Sequence, residues 1–178
     1  VNGTDIIDYL ALDDTCIEVD LTPNRGDCLG IKGIARETGL LNNLDLKINQ
    51  VASVENKIDD IFPVKLACPE TCPRFVGRII RNVDLSQPSP LWLKEKLRRS
   101  GIRSIDSVVD ITNFVMLELN QPMHAYDLDH LKGGIIVRLS AAGEKLTLLD
   151  GSRIELLEGT TLITDDSGPV GMGGIMGG

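Results

Sequence analysis

From Ser107 to Asp127 the chain reads SVVDITNFVMLELNQPMHAYD, and its apolar positions recur at helical spacing. Val108, Ile111, Val115 and Leu119 fall three or four residues apart, which predicts a helix with one face on a core. Thr112 lies beside that stripe and Asn113 faces away from it. Both compete for nearby backbone groups and are disfavoured in mid-helix. Gln121-Pro122 stops the helix, because the residue before proline is pushed out of the α region. His124 then falls in an irregular segment, where a side chain can be aimed rather than packed. On spacing alone this describes a buried helix with two satisfied polar residues and a surface histidine.

Upstream, Cys16-Ile17-Glu18-Val19-Asp20-Leu21 alternates apolar with acidic residues, the pattern of a half-buried strand. Thr22-Pro23-Asn24-Arg25-Gly26 makes a turn, and a helix capped by Asp27 is expected to run to Thr38 and end at Gly39. Gly30 and Gly33 inside it each cost about 1 kcal/mol relative to alanine, so another element is expected to pack very close there. Residues 43–60 predict a linker and an edge strand, Phe62 to Ala67 a strand, and Cys68 to Pro73 a turn. Arg74 to Val83 is a second strand candidate through Phe75, Val76, Ile79 and Ile80. The next helix is expected to have Ser89 as cap, Pro90 at its first position and Gly101 at its end, with Leu91, Trp92 and Leu97 as its apolar side. Lys94, Lys96, Arg98, Arg99 and Arg103 make this the most basic segment, interrupted by Glu95. They are either a solvated face that offsets the helix dipole or a contact for phosphates.

Downstream the pattern turns to period two. Ile135 to Leu139 and Lys145 to Leu149 predict strands, Asp150-Gly151 a hairpin turn, Arg153 to Leu157 the returning strand, and Thr161 to Thr164 another. The end, GPVGMGGIMGG, holds six glycines in 11 residues and is not expected to form a stable helix or an ordinary strand. It is either a flexible loop or a backbone that a ligand must approach closely.

Composition narrows the possibilities. A chain of 178 residues, 42% hydrophobic and 25% charged, suits a soluble globular domain. No run of about 18 uncharged apolar residues predicts a membrane span, and no signal peptide is visible. The chain starts at Val1 without a methionine and stops at Gly177-Gly178, which reads as an excised piece of something longer. Cys16, Cys28, Cys68 and Cys72 include one Cys-x-x-x-Cys but no second close pair to complete a zinc site. Reduced thiols in a cytosolic protein are therefore expected. A net charge of −8 and an aromatic content of 3% argue against a free-standing nucleic-acid binder or a base-stacking platform. Any RNA contact must be local or supplied by other domains.

The string VVDITNFVMLELNQPMHAYD resembles the signature of the β subunit of bacterial phenylalanyl-tRNA synthetase, within its editing module. EVDLTPNRGDCLGIKGIARE resembles the same subunit just ahead of that module, and together the matches cover most of the chain. The resemblance implies a C-terminal remnant of a small split helical domain over residues 1–42. The editing module would follow over residues 43–178, truncated at its C-terminal end. It implies a mixed α+β fold of layered antiparallel β-sheets with packed helices. The GIRSIDSVVDITN pattern puts Arg103 near an editing pocket, and the family's glycine wall corresponds to Gly174 and Gly177. His124, Thr112 and Asn113 are the residues expected to carry chemistry. Arg103, Pro122, Met123, Ala125, Gly173, Gly174 and Gly177 are those expected to touch substrate or tRNA, and no metal is expected.

An apolar pocket for phenylalanine rejects tyrosine by a factor of only about 10², so a second site that hydrolyses the wrong product is needed. A polar group that meets the phenol can raise discrimination to roughly 10⁴ or more, because phenylalanine leaves it unpaired. The reaction implied is ester hydrolysis on the 3′-terminal ribose of tRNA(Phe) carrying mis-attached tyrosine. His124 would position or polarise a water, as base or as orienter. Thr112 and Asn113 would hold the amino acid or the ester carbonyl. No serine or cysteine sits in a nucleophile motif, so no covalent intermediate is expected. The family's phenol-reading glutamate lies beyond the glycine-rich end, so a pocket with one wall removed is expected here. No cofactor is expected in this piece. ATP and Mg²⁺ would serve activation on the α subunit, the partner in an (αβ)₂ cytoplasmic enzyme. The rival readings are a non-catalytic spacer that orients tRNA within the αβ assembly, and a stand-alone deacylase. The PNRGDCLG segment argues against the second.

Overall fold

The computed structural model describes residues 2–47 and 51–178. Val1, the first residue of the expected remnant, and residues 48–50 of the expected linker and edge strand lie outside them. The chain divides into two compact units, each built from two stretches. One comprises Val1–Ala52 with Asp84–Ala125, the other Ser53–Val83 with Tyr126–Gly178. The chain passes from one unit to the other after residues 52, 83 and 125.

The first unit is helical, with α1 over Ile6–Leu10, a 3₁₀ turn over Gly26–Leu29, α2 over Ile31–Asn42, α3 over Leu91–Arg99 and α4 over Ser107–Leu119. The turn at Thr22 to Gly26 forms as expected, with Arg25 N–H donating to Thr22 O at 2.9 Å. Arg25 anchors it to α2 through Glu37 at 2.7 Å. The helix expected from Asp27 starts instead at Ile31, because Gly26–Leu29 takes the tighter 3₁₀ path. It also runs past Gly39 to end at Asn43 in the left-handed region, φ 52°.

The close approach inferred from Gly30 and Gly33 is real. A Cβ on Gly30 would lie 2.7 Å from the Asn120 amide nitrogen, and one on Gly33 would lie 1.8 Å from Asp27 O. The strand expected at Cys16–Leu21 does not form. Its residues are exposed up to Asp20 and pair with no neighbour among the described residues. Alternation supplies a face, but only a partner supplies a ladder.

Helices α3 and α4 pack together, with Trp92 edge-on to Phe114 at 5.5 Å, and α3 buries Leu93 and Leu97. Leu93 was not among the apolar residues expected of this helix, and Trp92 remains largely exposed. Pro90 is the cap rather than the first helical residue, since its ψ of 149° is extended. On α4, Val108 and Val115 are half-buried while Ile111 and Leu119 are exposed at 52% and 45%, so only part of the expected stripe faces inward. The buried residue of that helix is Asp110.

The second unit holds a five-stranded sheet and a two-stranded one. The strands are β1 Val64–Leu66, β2 Ile135–Leu139, β3 Lys145–Thr147, β4 Arg153–Glu155, β5 Thr161–Asp165, β6 Gly168–Met172 and β7 Met176–Gly177. The large sheet has the order β1-β2-β5-β6-β7. Its β1–β2 pair is parallel, which departs from the all-antiparallel expectation, and the other pairs are antiparallel. Ile135 and Val137 alternate inward and join Cys68, while Leu146, Leu156 and Leu162 form a second cluster with Met172. That cluster joins β3 and β4 to the large sheet, so the unit is layered and the fold is mixed α+β.

Two expectations fail for opposite reasons. Arg74–Val83 is not in a ladder. Phe75 packs inward, Val76 and Ile80 stand exposed, and Arg78 and Arg81 reach residues 54–60 only through side chains. The glycine-rich end, by contrast, is a strand pair closed by a turn. Its Gly171 pairs with Gly177, and opposite it β5 carries a register shift at Ile163/Thr164. Glycine weakens a strand, but cross-strand hydrogen bonds and packing override that weakness here.

Candidate functional site: helix α4 and its exit

The side chain of Asp106 caps α4, accepting from Val108 N–H and Val109 N–H at 2.9 Å each. Thr112, in the second turn, donates its hydroxyl to Val109 O at 2.9 Å, which leaves the oxygen's lone pairs available. Asn113 follows, half-buried. The helix ends at Asn120 in the left-handed region, φ 56°, with its N–H donating to Met116 O. The Asn120 side-chain amide donates to Gly26 O at 2.8 Å, and Gly30 lies against its backbone. The end of α4 is thus held by the 3₁₀ turn and the start of α2, and residues 121–125 leave from a fixed point.

Pro122, Met123, His124 and Ala125 occupy that exit as exposed, irregular backbone, as expected for His124. Neighbouring atoms crowd the imidazole enough that desolvation pushes its pKa below the ordinary 6.5, favouring the neutral ring although the residue is accessible. Arg103 is exposed in the link between α3 and α4 and has no ion-pair partner among the described residues. The other cations near it differ. Arg98 binds Glu95 at 2.9 Å, and Arg99 donates to Leu10 O and Ala11 O and pairs with Asp14, each at 2.7 Å. Two of the five basic side chains are therefore committed within the protein.

Seven of the predicted residues, Arg103, Thr112, Asn113, Pro122, Met123, His124 and Ala125, belong to the helical unit. Gly173, Gly174 and Gly177 belong to the other. There Gly174 sits in the β6–β7 turn at φ 74° with open space around it, a conformation glycine adopts without strain. Gly173 packs against Thr161, and a Cβ on it would lie 3.2 Å from the Thr161 methyl. Gly177 is paired in β7. In the same unit Tyr126 lies against β6, its hydroxyl 3.2 Å from where a Gly171 Cβ would stand, and burial raises its pKa. An open groove of this unit, lined by Asp60, Phe62, Ile79, Arg81 and Asp129 among others, includes none of the predicted site residues. Among the described residues no cluster of three or more His, Cys, Asp or Glu could hold a metal ion.

Sequence reasoning missed Asp110. Its carboxylate is fully buried and accepts from Ser89 Oγ and Ser104 Oγ at 2.5 Å each and from Ile105 N–H at 2.9 Å. Burial pushes its pKa up, but the Ser104 and Ser89 hydroxyls, the Ile105 amide and nearby Lys94 outweigh that and hold it below the usual carboxylate value. The signal in the sequence is a lone acid inside the apolar run VVDITNFV.

A family model described as the B3/4 domain matches residues 71–178. The phenylalanine–tRNA ligase β subunit of Hahella chejuensis is 56% identical over 176 residues, covering 99% of this chain and 22% of that subunit. Those of Pseudoalteromonas translucida and Pseudomonas savastanoi are 53% and 55% identical over the same shares. This chain spans about a fifth of the length of the curated relatives it matches, 22% in each case. The resemblance first seen in VVDITNFVMLELNQPMHAYD thus extends over nearly every residue, and the chain belongs to the B3/4 domain family, in the form found in β subunits of phenylalanine–tRNA ligases.

Proposed function

We propose that this chain edits, hydrolysing Tyr-tRNA(Phe) within a phenylalanine–tRNA ligase by aiming a water at the tyrosyl ester. The observation that carries the reading is the match of 99% of the chain to β subunits of such ligases. The chemistry of the α4 segment is compatible with it. A neutral His124 on a rigidly anchored exit can hydrogen-bond a water, and orienting that water needs no covalent intermediate. Thr112 keeps acceptor capacity for an α-ammonium, and the Asn113 amide can donate to an ester carbonyl as negative charge develops there. Arg103, uncommitted among the described residues, suits the phosphates at the tRNA end. Pro122, Met123 and Ala125 flank the histidine. For Gly173, Gly174 and Gly177 the proposal is local, a turn whose bare backbone a ligand can approach.

The same proposal takes residues 1–42 as the end of a preceding domain and residues 43–178 as the editing module. It assigns ATP and Mg²⁺ to amino-acid activation in the complete enzyme, an (αβ)₂ assembly in the cytoplasm. The test is deacylation of Tyr-tRNA(Phe) and Phe-tRNA(Phe) by the αβ ligase whose β subunit carries this sequence, with and without His124→Ala. Selective loss of the tyrosyl ester is expected, slowed about 10²-fold or more by the substitution. Because desolvation disfavours the protonated ring, the rate should fall as pH is lowered, with a midpoint below 6.5. No hydrolysis by a ligase that still aminoacylates would refute the proposal.

A further inference from the structure

Asp110 touches both ends of the segment that contains α3. Ser89 precedes that helix, and Ser104 and Ile105 follow it, so three hydrogen bonds to one buried carboxylate close the loop back onto α4. Arg103 lies in the narrow gap between two anchors. On its N-terminal side Ile102 N–H donates to Leu97 O at 2.9 Å and Gly101 turns the chain at φ 77°. On its C-terminal side the next two residues, Ser104 and Ile105, are both bound to Asp110. Arg103 itself is exposed and has no ion-pair partner among the described residues, so nothing at its guanidinium end holds it in place. Its aim is set by its backbone alone.

We infer that Asp110 is a positioning residue, which fixes the 103–105 backbone so that Arg103 is presented in one direction to an anionic ligand, the phosphates of the tRNA end. This rests on the editing reading for the identity of the ligand, but the clasp itself is read from the hydrogen bonds. A carboxylate is required because it accepts from two hydroxyls and an amide at once, and an amide side chain offers only one oxygen. The same helix carries Thr112 and Asn113, so the clasp also sets the start of α4 relative to Arg103.

The experiment is a double-mutant cycle in the αβ ligase with Asp110→Asn, Arg103→Ala and the pair. The readouts are kcat and KM for Tyr-tRNA(Phe) deacylation and the affinity for uncharged tRNA(Phe). Phenylalanylation serves as the check that the enzyme is assembled. Asp110→Asn keeps the side-chain volume, and Ser104→Ala, which removes one strand of the clasp, stands in if that variant misfolds. Each single change should raise KM and weaken tRNA binding about tenfold, and the double variant should be no worse than Arg103→Ala alone, since both act through one guanidinium. Additive losses, or an Arg103→Ala variant that binds tRNA(Phe) as well as the parent does, would overturn the inference. If the parent enzyme deacylates nothing, the editing proposal falls. The cycle is then read in tRNA(Phe) affinity alone, where coupling supports the clasp and additivity removes it.

Discussion

Replacing Gly33 by alanine separates local preference from tertiary packing. In an isolated helix the change would stabilise by about 1 kcal/mol, because glycine is the weaker helix former. In α2 the new Cβ would lie 1.8 Å from Asp27 O, 2.7 Å from Asp27 C and 2.9 Å from Cys28 Cα. All three are backbone atoms, so relief cannot come from a rotamer change and the 3₁₀ turn must move by more than an ångström. That displacement strains the Cys28 N–H bond to Arg25 O and the Gly33 N–H bond to Gly30 O, now 2.9 and 3.0 Å. Overpacking of about 1–3 kcal/mol and two weakened hydrogen bonds of about 1 kcal/mol each, less the propensity gain, leave a loss of about 3 kcal/mol. With a urea m-value of about 2 kcal/mol/M, the midpoint should fall by about 1.5 M. The chain has one tryptophan, Trp92, in the same unit as Gly33, so its fluorescence reports this transition. Gly26→Ala is the control, since a Cβ there meets nothing within 4 Å and its φ is not positive; its midpoint should shift by less than about 0.3 M. A Gly33→Ala midpoint equal to or above that of the parent protein would refute the packing argument.

Other expectations follow from the same reasoning. Leu97→Ala and Leu162→Ala, each removing a side chain with 0% exposure, should destabilise by about 2–5 kcal/mol in urea melts read by circular dichroism. Asp165 ties the β5–β6 turn together by accepting from Ser167 N–H, Ser167 Oγ and Gly168 N–H on one oxygen and Lys132 N–H on the other. Burial pushes its pKa up, and these bonds, that from Ser167 Oγ foremost, overcome the effect and leave it below 3.8. Its contribution is therefore fully present above about pH 4 and lost as pH falls through the depressed value. Asp165→Ala should cost about 2 kcal/mol at pH 7, and the cost should shrink as pH falls through the depressed value, as read from urea midpoints.

The local parts of this fold were legible because their causes are local. Periodicity located α4 and the strands at Ile135 and Thr161, and the Ser89-Pro90 start and Gly101 stop located α3. An Asp-Gly dipeptide located the turn after β3, where Gly151 takes φ 83° and its N–H donates to Leu148 O. The alternation in Cys16–Leu21 and the apolar content of Arg74–Val83 both pointed to strands, yet no ladder formed. Pairing depends on a strand elsewhere in the chain, which a pattern within one segment does not encode. The glycine-rich end failed in the other direction, becoming strands because β5 is there to receive it.

For the candidate site, sequence alone singled out His124, Thr112, Asn113 and Arg103 through a motif. It also determined that His124 follows a helix stop. Only tertiary structure decided which cations are free, because Arg99 is taken by backbone oxygens 88 and 89 residues away in the chain. It alone showed Asp110, which sequence reasoning passed over, as the buried clasp behind Arg103. A carboxylate's meaning is set by the hydroxyls and amides that surround it once the chain has folded, and Ser89 stands 21 residues away in sequence.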